Sequence, residues 1–412
     1  NFSEVCIFGF LLTLILSQII NFIAPIKEIF WLFFIFFVIN IYRHKYLIKE
    51  FCRWLIKISI IFLILTPFKI VIKGHDDIFY HLPKLNFINN HKIIFGIGNY
   101  YEPFASTSGW SNIGAFFNFF YGSEKNLYLV SFVFFVLVIK TLYSYFKKTE
   151  DKNIKIFSLI SIVYLCLKFY RLQEFGNDFQ SILLIFLIFN LYFSFSKTET
   201  NNETLIKKIL LFSTFATLFK IHAILVNIFL ILFLFKKNTL FKKDNLRVCL
   251  FILFSYFCTF TTNVINYGCI FYPFENTCFA SDKVSWSAKE NLKITYLQAY
   301  NKGYEKKYSI KTDDQMSYEE WLGNFNWLKF HITSQYFYEP LLKSIFLLFL
   351  IFFILFNFIN FKIQRIEKKN LLFLLISAFV LSLWLIKIPL MRASGYGYVS
   401  CTLIFLFASF IK

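Results

Sequence analysis

Asp178-Phe179-Gln180-Ser181-Ile182-Leu183-Leu184-Ile185-Phe186-Leu187-Ile188-Phe189-Asn190-Leu191-Tyr192-Phe193-Ser194-Phe195-Ser196-Lys197 carries one charge at each end and none between. A transmembrane helix needs about 20 mostly apolar residues, and this run supplies them with an acid at one mouth and a base at the other. The pattern repeats on both sides of it. Apolar runs between charged breaks give about twelve candidate spans, near 5–25, 28–42, 54–73, 126–146, 154–170, 179–197, 204–220, 221–236, 247–267, 340–361, 370–387 and 393–411. Composition agrees: 58% of the 412 residues are hydrophobic, Phe alone contributes 61, and only 16% are charged, where a soluble domain has about a quarter. With a mean hydropathy of +0.59, these figures exclude a disordered chain, a coiled coil and a secreted mini-protein. The expected fold is all-α, a polytopic transmembrane helical bundle forming a single integral membrane domain over 1–412.

Charge placement sets the expected orientation. The net charge of +19 would suggest nucleic acid in a soluble chain, but membrane proteins keep Lys and Arg in cytoplasmic loops. The segments Arg43–Lys57, Lys147–Lys155, Lys197–Lys208, Lys236–Arg247 and Lys362–Lys369 hold about 21 of the 43 basic residues. With twelve spans and both termini cytoplasmic, all five fall inside, and no nucleic-acid partner is expected. The alternation holds only if Trp110–Tyr121 does not span, so this stretch reads as an interfacial helix on the outer surface. Two outer loops follow, 74–125 and 268–339; the second is near neutral and reads as a small cap, with Ser317–Trp327 as a helix at the interface. The chain opens with Asn1 and has no basic stretch before its first apolar run, which speaks against a cleaved signal peptide and leaves a truncated start open. Cys269 and Cys278 both fall outside, as a disulfide or as two thiols.

Chemistry-bearing residues gather at the expected outer face. Gly74-His75-Asp76-Asp77-Ile78-Phe79-Tyr80-His81-Leu82-Pro83 places two carboxylates and two imidazoles within one short stretch. Adjacent like charges push pKa values apart, which suits one of Asp76 and Asp77 to act as a base, with His75, Tyr80 and His81 as substrate contacts. The same donors suit a divalent cation, the one cofactor the sequence leaves open, and no residue is assigned to a metal. An ordinary helix N-cap is the plain alternative. Asp178 either lines a cavity or belongs to a turn. Lys220, His222 and Arg392 share that face and either grip a phosphate headgroup or snorkel to the interface. No Walker A, Gly-x-Ser-x-Gly or His-Glu-x-x-His motif occurs, and no internal repeat is visible.

Asp76-Asp77-Ile78-Phe79-Tyr80-His81-Leu82-Pro83, then Gly96-Ile97-Gly98-Asn99 and Ser108-Gly109-Trp110, resembles an uncharacterised family of bacterial multi-span membrane proteins. Its members carry an Asp, then Tyr-His-Leu-Pro, a Gly-Leu-Gly-Asn-like turn and a Ser-Ser-Trp-like helix start. Asp178, Asn263 through Gly268 to Tyr272-Pro273, Trp286, and Pro389 with Arg392 and Gly395–Gly397 continue the likeness over about residues 70–400. The chain departs from it at Gly176-Asn177, where the family has prolines, and at Ala393-Ser394, where it has Phe-Gly. In layout the chain is similar to GT-C glycosyltransferases, although three spans rather than one precede its acidic loop. That similarity implies an inner-membrane glycosyltransferase of cell-envelope polysaccharide or glycolipid assembly. Its partners would be a polyprenyl-phosphate-linked sugar donor, a glycan or lipid acceptor, and membrane lipid. A flippase or transporter, a polymerase or ligase for lipid-linked glycans, and a scaffold subunit are the alternatives.

Overall fold

The computed structural model describes residues 2–43, 52–53, 56–57, 59–60, 77–101, 104, 108–118, 126–173, 178–197, 202–230, 243–272, 275–287, 298–300, 302–307, 315–358, 368–387 and 389–410. Apart from an isolated antiparallel bridge at Cys269 and Cys278, the elements among them are helical. The chain begins with α1 (Phe2–Ile23) and α2 (Ile26–Arg43), then α3 (Leu82–Asn90) and α4 (Gly109–Asn118) of the first long loop. There follow α5 (Asn126–Lys148), α6 (Lys152–Leu167), α7 (Asp178–Lys197) and α8 (Asn202–Phe219), a 3-10 segment over Ile221–Leu230, and α9 (Lys243–Tyr267). The second long loop contributes α10 (Tyr318–Leu322) and α11 (Asn326–Thr333), and α12 (Gln335–Phe358), α13 (Lys368–Lys387) and α14 (Tyr396–Phe410) complete the bundle.

Six helices among the described residues are long and apolar enough to cross a membrane: α1, α5, α7, α9, α12 and α13. The other expected spans differ for simple reasons. The helices α2 and α8 carry three charges each, α6 and α14 are shorter, and the run near 221–236 begins as a 3-10 segment. The run near 54–73 lies for the most part outside the described residues.

The run Asp178–Lys197 is the centre of the bundle. Its α7 is apolar on every side, the pattern of a helix with neighbours all round, and α5, α6, α8 and α14 pack against it. Phe193 meets Phe405 at 4.4 Å between ring centroids, and Phe189 meets Phe373 at 5.2 Å. Two amides fix the register: Asn190 donates to Ser158 at 2.6 Å and Gln180 to Ser131 at 3.0 Å. Such buried contacts are each worth about 0.6 kcal/mol between helices in lipid. The periphery is the reverse. On α9, α12 and α13 the large residues Leu253, Phe257, Phe346, Phe349, Phe353, Leu375 and Phe379 face outward uncovered. A belt of this size needs an apolar solvent, and helices satisfy their own backbone there. The protein is a membrane protein.

The two long loops sit at one end of the bundle, here termed the loop pole. Asn21, near the end of α1, donates to the Ile88 and His91 carbonyls, and His331 of α11 is 2.7 Å from the Pro389 carbonyl after α13. The Cys269–Cys278 disulfide closes the turn after α9. Two aromatic readings change here. Trp110 does not rest on a surface: it is 2% exposed and packs edge-on to Phe134 and Phe219 at 5.4 and 5.0 Å, so α4 is seated among α1, α5 and α8. Trp321 and Trp327 are likewise buried, forming with Ala299 and Tyr304 a small core of the second loop's own.

Candidate functional site

At the loop pole, helix ends deliver opposite charges to one place. Asp178 opens α7, where an acid complements the positive end of the helix dipole, and Lys220 follows α8, where a cation complements the negative end. Their side chains meet at 2.7 Å between Lys220 Nζ and Asp178 Oδ1, and are only 22% and 13% exposed. His222, two residues on, lies close enough to feel both charges. Its ring Nδ1 is sealed from solvent with no hydrogen-bond partner among the described residues. Its backbone carbonyl accepts from the Tyr398 hydroxyl at 3.2 Å, which ties the start of α14 to this point.

The first loop reaches the same place through α4. A Cβ on Gly109 would stand 2.3 Å from Leu14 Cδ1 and 2.9 Å from the Leu218 carbonyl oxygen, so only glycine lets α4 approach the end of α8. That docking seats Trp110 on Phe219, the residue before Lys220. The neighbouring α3 then brings in Lys84, a residue the sequence reading passed over. Lys84 is 8% exposed, donates to the Phe104 carbonyl at 3.2 Å, and lies within reach of the Lys220 charge. Burial, assisted by Lys220, pulls its pKa down to about 7. An amine in that range exchanges its proton at neutral pH, where an ordinary lysine does not. A lysine one turn beyond His81, in a short helix opened by Pro83, was the only signal in the sequence.

Asp178, Lys220 and His222 are thus brought together, with Lys84 added. The turn Met391–Gly395, which holds Arg392, packs against α7 and the Ile221–Leu230 segment. The Tyr80 and His81 rings lie 4.0 Å apart, tilted by 42°, in the wide helical turn Asp77–His81 that leads into α3. His75 and Asp76, and the side chains of Asp77 and Arg392, lie outside the described residues. Wide turns of this kind are rare and recur at functional sites, and both here fall on the sequence motifs. Among the described residues no group of three His, Cys, Asp or Glu side chains is placed to hold a metal ion. Chemically, the cluster offers a fixed ion pair, an imidazole and a neutral-range amine beside an apolar body, a set suited to holding an anion and moving a proton.

No curated protein and no solved structure matches the chain. The family model described as a domain of unknown function, DUF8201, matches residues 1–399, and the chain belongs to that family.

Proposed function

We propose that the protein is a glycosyltransferase of GT-C-like layout, with about twelve spans, cytoplasmic termini and its loop pole on the outer face of a bacterial inner membrane. Its donor is a polyprenyl-phosphate-linked sugar, and its product belongs to a cell-envelope polysaccharide or glycolipid. Asp76 or Asp77 takes the proton of the acceptor hydroxyl. The acceptor oxygen forms its bond to the anomeric carbon as the bond from that carbon to the phosphate oxygen breaks, the electron pair leaving with the phosphate. Lys220, His222 and Arg392 stabilise that departing anion, and such preorganised charge contributes much of the rate in dry sites. Asp178 positions Lys220. A divalent cation at His75, Asp76 and Asp178 would add charge of the same sign.

The observation that carries this reading is the meeting of Asp178, Lys220 and His222 at the pole that also holds the Asp77–His81 and Met391–Gly395 turns. A flippase or transporter of lipid-linked glycans calls instead for charge along a route through the bundle. The Asp178–Lys220 pair joins the start of one helix to the residue after another, which favours chemistry at a face. A polymerase or ligase shares the same chemistry. The test replaces Asp76 and Asp77 separately with Asn and follows sugar transfer in membranes supplied with prenyl-phosphate-linked sugars. Loss of the base lowers transfer by about 100-fold or more in one variant. Full activity in both variants would sink the mechanism.

A further inference from the structure

A second feature of the loop pole lies apart from the ion pair. A cavity of about 500 Å³ is lined by Lys168, Tyr170, Gln335, Glu339, Pro340, Lys343 and Tyr396. None of Asp178, Lys220 or His222 lines it. Its walls come from the end of α6 and the first turns of α12 and α14, elements far apart in sequence. Lys168 stands over the Tyr396 ring at 4.5 Å, and its reach to the Tyr170 hydroxyl is a long 3.5 Å. The Arg171 guanidinium lies over the same Tyr396 ring at 5.3 Å. Lys343 pairs with Glu339, and both Arg171 and Lys343 are close enough for their charges to bear on Lys168. Lys168, Arg171 and Lys343 thus bring their charges close together around this cavity, with Glu339 on the same wall.

Bringing like charges together in a half-buried place costs free energy, and the fold does so with groups from three helices. The N-terminal end of α12 adds a positive dipole end to the same region. A volume of this size is in the range of small-molecule sites. We propose that this cavity binds a phosphate or diphosphate group, either the headgroup of a membrane lipid or a phosphorylated solute. Lys168 and Lys343 contact the phosphate oxygens, and Arg171 supports Lys168 through the shared tyrosine face. The inference rests on the charge and shape of the cavity and stands independently of sugar transfer.

The test uses the full chain in nanodiscs of neutral phosphatidylcholine, titrated calorimetrically with farnesyl phosphate in one arm and inorganic phosphate in the other. Saturable binding is expected, weakened about 10-fold by Lys168→Gln and by Lys343→Gln, the loss of a charged hydrogen bond. Lys343 is exposed, so its variant folds even if the Lys168 variant does not. Binding of farnesyl phosphate alone identifies a lipid headgroup, and equal binding in both arms identifies free phosphate. Farnesyl phosphate also fits the proposed catalytic site, so the titrations are repeated in a Lys220→Gln background: the binding that Lys168→Gln and Lys343→Gln weaken persists there, which separates this site from the catalytic one. Absence of binding in both arms, or binding that neither lysine substitution weakens, overturns the proposal.

Discussion

Two ion pairs join α8 to its neighbours, one at each end of that helix. Away from the loop pole, Lys208 meets Glu4 of α1 at 2.8 Å, with side chains 23% and 5% exposed. At the loop pole, Lys220 meets Asp178 at 2.7 Å, with exposures of 22% and 13%. Distance and burial are nearly the same, and the surroundings are not. Glu4 also accepts a hydrogen bond from the Tyr145 hydroxyl, so its carboxylate is served by a cation and a neutral donor. Asp178 faces Lys220 in company with Lys84 and with a histidine whose inner nitrogen has no partner among the described residues. One pair shares its carboxylate with a neutral donor; the other, among the described residues, has a second lysine and an imidazole beside it. A closed network stabilises, and surplus charge of one sign is what a ligand of the other sign would settle.

Substituting the two lysines in parallel tests that difference most strongly. Lys220→Gln lowers sugar transfer by about 100-fold or more, the effect of removing one donor from a preorganised anion site. Lys208→Gln removes the cation from a carboxylate only 5% exposed, which costs about 3 kcal/mol. It lowers the melting temperature in detergent while transfer per folded molecule is retained. The melting temperature of Lys220→Gln falls less, because removing one of several crowded cations relieves repulsion. If both variants lose stability alike and keep full activity, the loop pole is as structural as the other end.

Lys84 gives a smaller effect with a definite sign. Its pKa is about 7 in the folded chain against an ordinary 10.5, so between those values the unfolded chain binds more protons than the folded one. Stability therefore rises with pH across about 7 to 10.5 from this group. Below that window Lys84 is charged in both states and the cost of burying the charge is fully present. Lys84→Met removes the dependence, so the variant is more stable than the parent at pH 6, and its advantage shrinks towards pH 10. Parallel unfolding curves at several pH values check it, and a constant difference would mean that Lys84 is not held in this environment.

How much of this was legible in the sequence differs by element. The run Asp178–Lys197 announced an apolar helix, but not that it would be the one wrapped by others rather than by lipid. Composition alone does not distinguish those solvents, because both are apolar. Alternation of basic loops put Asp178, Lys220 and His222 on one face, and they do meet. Trp110 reads as interfacial because the alternation of basic loops needs its stretch not to span, and Trp321 and Trp327 because an aromatic residue amid polar ones fits a membrane surface and the core of a small cap equally. Lys84 and the Lys168–Lys343–Tyr396 cavity escaped for another reason. Neither has a local signature, and both exist only because separate helix ends converge.

Among the described residues, left-handed backbone is confined to the loop pole. The left-handed residues among the described ones, Gly96, Gly268, Gly303, Asn324, Phe325 and Ser394, all belong to the loops and turns of that pole. Ser394, with φ of 78° and its side chain fully buried, sits in the turn after Arg392 where the resembled family has glycine. A non-glycine residue in that region carries about 1–2 kcal/mol of steric cost, and such cost persists where surrounding structure imposes it. Ser394→Gly removes the cost and gives up a hydroxyl interaction worth about 1 kcal/mol, leaving a net gain below about 1 kcal/mol and a small rise in melting temperature. The informative readout is transfer measured beside it. If Ser394 only replaces the family glycine, the variant is slightly more stable and equally active. A gain in stability accompanied by a loss of transfer would instead make the strained turn part of how Arg392 is presented, and would place one more element of the loop pole on the functional side of the comparison.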